Sequence, residues 1–212
     1  MTLDGELSGP DAPLRATARA LAKVDAARAL VLVEGISDQI ALETAAAGRG
    51  RDLDAEGVVI VPIGGAHAIR RFLTRFAPVT PLAGLYDRRE EEIVRRGLVD
   101  AGVGAPASRA DLEALGFFVC VDDLEDELIR AVGTDGVEAL IASEGDLGAF
   151  DSMRGQPAWR GREPAAQLRR WLGSGSRRKL RYARSLVEAA VAAGTLPRPL
   201  DAVLAAVDRP PA

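Results

Sequence analysis

Short runs of continuous apolar residues alternate with longer mixed stretches through the first part of the chain. Ala29-Leu30-Val31-Leu32-Val33 ends at Glu34-Gly35, and Gly57-Val58-Val59-Ile60-Val61-Pro62-Ile63 ends at Gly64-Gly65. Leu82-Ala83-Gly84-Leu85-Tyr86 ends at Asp87, and Phe117-Phe118-Val119-Cys120-Val121 ends at Asp122-Asp123. Runs this short, without polar alternation, predict strands buried on both faces of a parallel sheet. Between them the apolar spacing predicts helices near residues 14–27, 37–48, 66–76, 88–101 and 108–115, the last opened by Ser108 as N-cap. From about residue 124 the pattern is wholly helical, over Leu124–Val132, 136–143, Pro164–Leu172, Ser176–Ala193 and 200–207. Gly173-Ser174-Gly175-Ser176 reads as a flexible joint, and residues 1–12 as a loose terminus.

Strand and helix in alternation predict an α/β fold, a mainly parallel sheet of about four strands flanked by helices. The organisation expected is a tail and helix over residues 1–27, an α/β core over 28–145 and a basic helical C-terminal extension over 146–212. Ligands of such sheets bind outside the carboxyl ends of the strands. Three of those ends carry acid here: Glu34, Asp87, and Asp122 with Asp123. Acids gathered on one edge collect negative charge that cations must neutralise.

Each acidic motif also has an ordinary structural reading. In Glu34-Gly35-Ile36-Ser37-Asp38 the second acid could simply cap a helix. Asp87-Arg88-Arg89-Glu90-Glu91-Glu92 could place acids in a first turn to offset the helix dipole. The densest run, Asp122-Asp123-Leu124-Glu125-Asp126-Glu127, meets no basic residue before Arg130, and like charges so crowded repel without a cation.

Composition sharpens this picture. The net charge of −4 argues against coating nucleic acid over the whole surface, yet the charges are strongly segregated. Residues 111–151 hold twelve acids against one arginine; residues 154–184 hold ten basic residues against one acid, Glu163. A metal-dependent phosphodiesterase would use such blocks as cation ligands and phosphate contacts; two mutually attracting solvated faces would look the same. The single cysteine, Cys120, lies in an apolar run and excludes a disulfide framework. His67 is the only histidine, which excludes a multi-histidine metal centre; Gly64-Gly65 before it offers N–H groups to a phosphate. Lys179 is one of two lysines against 25 arginines and sits in Arg177-Arg178-Lys179-Leu180-Arg181, as a point charge among forks. The opening residues are acidic and polar, and no run approaches the roughly 18 apolar residues of a membrane span, so the expected compartment is the cytoplasm.

Together these residues resemble the Toprim domain of topoisomerases, primases and related nucleases, and more closely the Toprim half of OLD-family ATP-dependent endonucleases. The resemblance rests on Leu32-Val33-Glu34-Gly35-Ile36-Ser37-Asp38, Val61-Pro62-Ile63-Gly64-Gly65 and Gly84-Leu85-Tyr86-Asp87. It extends to Asp123-Leu124-Glu125-Asp126-Glu127-Leu128 and Arg178-Lys179-Leu180-Arg181-Tyr182-Ala183. It implies a metal-dependent nuclease with two Mg²⁺ or Mn²⁺ ions, roughly 3.5–4 Å apart. Glu34, Asp38, Asp87, Glu90, Asp123 and Glu125 would be metal ligands, with Glu34, Asp87 and Lys179 catalytic. Arg177, Arg178, Lys179 and Arg181 would hold the backbone of DNA, or of RNA.

Two features depart from the family. Its usual Asp-x-Asp is here Asp87-Arg88-Arg89, so Glu90 must substitute. No Walker A sequence is present, so the expected ATPase is a separate chain or the protein acts alone; a second copy of the chain also stays open as a partner. The alternative is a non-catalytic module of the same fold that binds nucleic acid or an ATPase, which Arg89 favours slightly. A phosphotransfer receiver lacks support, because no lysine follows Asp87 in the sheet region.

Overall fold

The computed structural model describes residues 11–78 and 80–208. The loose terminus expected over residues 1–12 therefore falls almost entirely outside the described residues. Strands β1 (Ala29–Val33), β2 (Val58–Pro62), β3 (Leu82–Asp87) and β4 (Phe117–Cys120) form one parallel sheet in the order β2-β1-β3-β4. Leu32 stands opposite Val61 on one side and Gly84 on the other, so the order reverses across β1. In an open parallel sheet that switch point is where a crevice forms beyond the strand ends. Glu34 and Asp87 terminate the two strands that flank it.

Side chains alternate strictly across the sheet, as strand geometry requires. Val31, Val33, Ile60, Leu85 and Cys120 enter one core, while Leu30, Leu32, Val61, Tyr86 and Val119 enter the other. The second core is covered by α1 (Ala12–Lys23), α3 (Ile69–Phe76), α4 (Glu91–Asp100) and α5 (Arg109–Ala114). Ser108 caps α5 as expected, accepting the Asp111 N–H at 3.2 Å while Asp111 accepts the Ser108 N–H at 2.8 Å.

The first core is covered by α2 (Ile36–Gly48), α6 (Leu124–Val132), α7 (Thr134–Ser143), α8 (Leu147–Arg154), α9 (Pro164–Leu172), α10 (Ser176–Ala193) and α11 (Arg198–Ala206). The basic helical extension expected beyond residue 145 packs as this layer: α10 lies against α2 and α6, and α11 against α2, β3 and β4. That docking brings Lys179 to the strand ends.

Two local details differ from the sequence reading. The helices expected to start at residues 66 and 88 open with 3-10 turns, Ala66–Ala68 and Arg88–Glu90. Helix α8 was not foreseen, because Leu147 and Phe150 are too few apolar positions to set a period. Phe150 is nonetheless fully buried, edge-on to Trp171 at 5.7 Å between ring centres. Tertiary burial, more than local pattern, forms this helix.

Candidate metal centre

The backbone of the β1 end is fixed first. The Glu34 carbonyl accepts N–H bonds from Gly64 at 3.1 Å and Gly65 at 3.2 Å. Both glycines have positive φ, 78° and 108°, which a side chain would strain. The N–H groups expected to cradle a phosphate are thus spent on holding the Glu34 backbone. One residue on, the Gly35 N–H donates to Asp38 Oδ2 at 2.9 Å, turning that carboxylate back toward the strand end. The helix-start reading of Asp38 and its place among the strand-end acids therefore both hold.

Glu34, Asp38, Asp87 and Glu90 come together at this edge, close enough to act on one another electrostatically. Burial pushes the Asp87 carboxyl up to about 8, with repulsion from Asp38, Glu34, Asp123 and Glu90 adding to it. Burial and then Glu34, which shares a hydrogen bond with it, lift Glu90 to about 7. Asp38 is raised to about 6 by burial, against the opposing pull of the Gly35 N–H and Lys179. Oε2 of Glu90 is buried with no hydrogen-bond partner. Among the described residues, none of these four carboxylates forms an ion pair. Burial and mutual repulsion thus favour the protonated forms of Asp38, Asp87 and Glu90, and a bound cation would oppose that.

The β4 side is organised differently. Asp123 caps α6 through Oδ1, which accepts the Asp126 N–H at 2.9 Å, and gives Oδ2 to Nε and Nη2 of Arg169, both at 2.7 Å. Asp122 pairs with Arg88 at 2.9 Å, and buried Glu125 with Lys179 at 3.2 Å. Glu127, also buried, accepts the Val121 N–H at 2.8 Å and pairs with Arg130 at 2.8 Å. Burial works against the charged form of Lys179, but Glu125, Asp38 and Asp87 outweigh it and raise its pKa above that of an ordinary lysine. Lys179 is thus the cation that faces both sides of the site.

The basic helix divides. Arg177 is exposed. Arg178 lies 3.5 Å above the Trp171 ring and donates to the Ser174 carbonyl at 2.6 Å. Arg181 pairs with Asp146 and stands 3.7 Å from Glu144. Arg154 bridges Glu138 and Asp151 at 3.1 and 2.7 Å. Much of the basic block is therefore consumed by the acidic block, as the reading of two attracting faces supposes. Arg89 is exposed.

Oxygen donors of this kind suit a hard divalent cation such as Mg²⁺ or Mn²⁺. The unpartnered Glu90 Oε2 and the four unpaired acids are the features a cation would satisfy. Among the described residues, no group of three or more His, Cys, Asp or Glu side chains already stands in an arrangement that could hold a metal ion. Sequence reasoning missed Arg169, because nothing in its spacing links it to an acid 46 positions earlier; the segregation of charge was the only signal. It also missed the Gly64-Gly65 anchor on Glu34.

The family description "Overcoming lysogenization defect protein-like, TOPRIM domain" matches residues 27–79, which hold β1, α2, β2 and α3. No curated protein sequence matches the chain. The C-terminal region of the Xanthomonas campestris pv. campestris OLD protein is similar in structure, with a TM-score of 0.58 and 23% identity over 87% of this chain and 94% of that one. The C-terminal region of the Burkholderia pseudomallei OLD protein gives 0.56 and 20%, over 86% and 97%. Residues 27–79 thus match the OLD-like TOPRIM family in sequence, and most of the chain shares its fold with the C-terminal regions of OLD proteins.

Proposed function

We propose that this protein is a metal-dependent nuclease, hydrolysing phosphodiester bonds of DNA at the carboxyl edge of its sheet. The observation that carries this reading is the set of four carboxylates, Glu34, Asp38, Asp87 and Glu90, that meet at the switch point with no ion pair among the described residues. These four would hold Mg²⁺ or Mn²⁺, which when bound supplies an activated water and charge neutralisation at the phosphate. Lys179 stands opposite, its charge set by Glu125, Asp38 and Asp87, where it steadies negative charge on the phosphoryl oxygens. The Gly64 and Gly65 N–H groups keep the Glu34 backbone from drifting as substrate binds. Exposed Arg177 holds the nucleic-acid backbone without reading sequence. An ATPase is the partner that the OLD resemblance suggests.

A second reading, a non-catalytic binding module, is favoured by one observation: every acid of the β4 run from Asp122 to Glu127 is already paired with a protein cation. Nicking of supercoiled plasmid by the purified protein separates the two. Nicked product with Mg²⁺ or Mn²⁺, and none with EDTA, supports the nuclease. Plasmid binding with no metal-dependent product supports the module.

A further inference from the structure

The two halves of the acidic edge differ in their counter-charge. The β1–β3 half has four carboxylates and, among the described residues, no ion pair. The β4–α6 half has five acids, Asp122, Asp123, Glu125, Asp126 and Glu127, touched by four protein cations, Arg88, Arg169, Lys179 and Arg130. Neither oxygen of Asp123 is idle, one serving as helix cap and the other accepting the Arg169 Nε–H with Nη2 of the same guanidinium also at 2.7 Å.

Resting on the metal-dependent reading above, we propose that this chain holds one divalent cation, between β1 and β3, and that Arg169 fills the place at Asp123 where a second would sit. A dication at Asp123 would compete with the Arg169 guanidinium for Oδ2 and with the helix-capping N–H of Asp126 for Oδ1. Seating it would expel a half-buried guanidinium from its partner; Arg169 and Asp123 keep only 31% and 24% of their side-chain surface exposed. Breaking such a pair on one side leaves an uncompensated charge, which is costlier than the pair itself is worth. A planar fork also offers N–H donors to a phosphate oxygen, so Arg169 can neutralise the charge the second ion would have neutralised.

Mn²⁺ binding to the full chain, counted by electron paramagnetic resonance of the free ion, tests this directly. The parent should bind one ion, and Arg169→Ala should bind two. Asp123→Asn keeps the cap oxygen and guards against loss of folding in the arginine variant. It should leave the single site within about twofold of its parent affinity, whereas Glu34→Gln should weaken it by about tenfold or more, the scale of losing a tuned ligand. Two ions of similar affinity in the parent would overturn the one-cation proposal while leaving the metal reading intact. So would an Asp123→Asn variant as impaired as Glu34→Gln. No Mn²⁺ bound by the parent at all would reject both.

Discussion

Lys179 Nζ lies 3.2 Å from Glu125 Oε1, joining the first turn of α10 to the first turn of α6, 54 positions apart in sequence. Through that contact the C-terminal helices become part of the sheet's acidic edge. Lys179 also feels Asp38 and Asp87, so one ammonium faces acids that follow three different strands. It bridges the two halves of the site.

Divalent metal should raise the melting temperature of the protein. A ligand that binds the folded state alone stabilises it by mass action, about 2.7 kcal/mol at a hundredfold excess over Kd. Differential scanning fluorimetry at low ionic strength should show a rise with millimolar Mn²⁺ that is smaller in Glu34→Gln. Melting that ignores Mn²⁺ would make the acids a solvated face.

Without metal, stability should fall as pH rises from about 4 to about 8. The carboxyls of Asp87, Glu90 and Asp38 titrate near 8, 7 and 6 in the fold, against 3.8 or 4.5 in the free side chains. The folded state therefore binds more protons than the unfolded chain across that window, and the slope of unfolding free energy with pH is negative. The penalty is absent below about pH 4 and complete above about pH 8. Urea midpoints in EDTA should be higher near pH 5.5 than near pH 8, and Asp87→Asn should flatten the difference. A midpoint that climbs with pH would contradict the crowding of these acids.

Gly84 should tolerate no side chain. A Cβ there would lie 2.6 Å from the Phe117 ring and 3.2 Å from the Leu32 carbonyl. Gly84→Ala should cost about 1–3 kcal/mol, the range for overpacking a filled core. A urea midpoint equal to or above that of the parent would show that the β1–β3–β4 packing is looser than described.

The sheet and the strand-end acids were legible in sequence because burial on both faces writes unbroken apolar runs, which stop where the acids begin. The β1 run matched its strand to the residue, and so did the helices Leu124–Val132, Pro164–Leu172 and Ser176–Ala193. Helix α8 was not legible, since its formation depends on Phe150 reaching Trp171 from another element. At the site, Glu90 could be named because it stands one turn after Asp87. The partners of Asp123 and Asp122 could not, because ion pairs across 46 and 34 positions leave no periodic trace. Nor could sequence show that Arg178 and Arg181 turn inward to Trp171 and Asp146.

Cleavage and affinity measured side by side in Glu34→Gln, Lys179→Met and Arg177→Ala test the central claim most directly. Glu34→Gln keeps size but removes charge a cation needs, so metal-dependent nicking should fall by about 10²-fold or more while DNA affinity holds or rises. Lys179→Met should lose far more rate than affinity. Arg177→Ala should do the reverse, weakening binding to all sequences alike and lowering the salt slope by about one unit. Parent protein that nicks plasmid equally well in EDTA, or a Glu34→Gln variant as fast as the parent, would contradict the account.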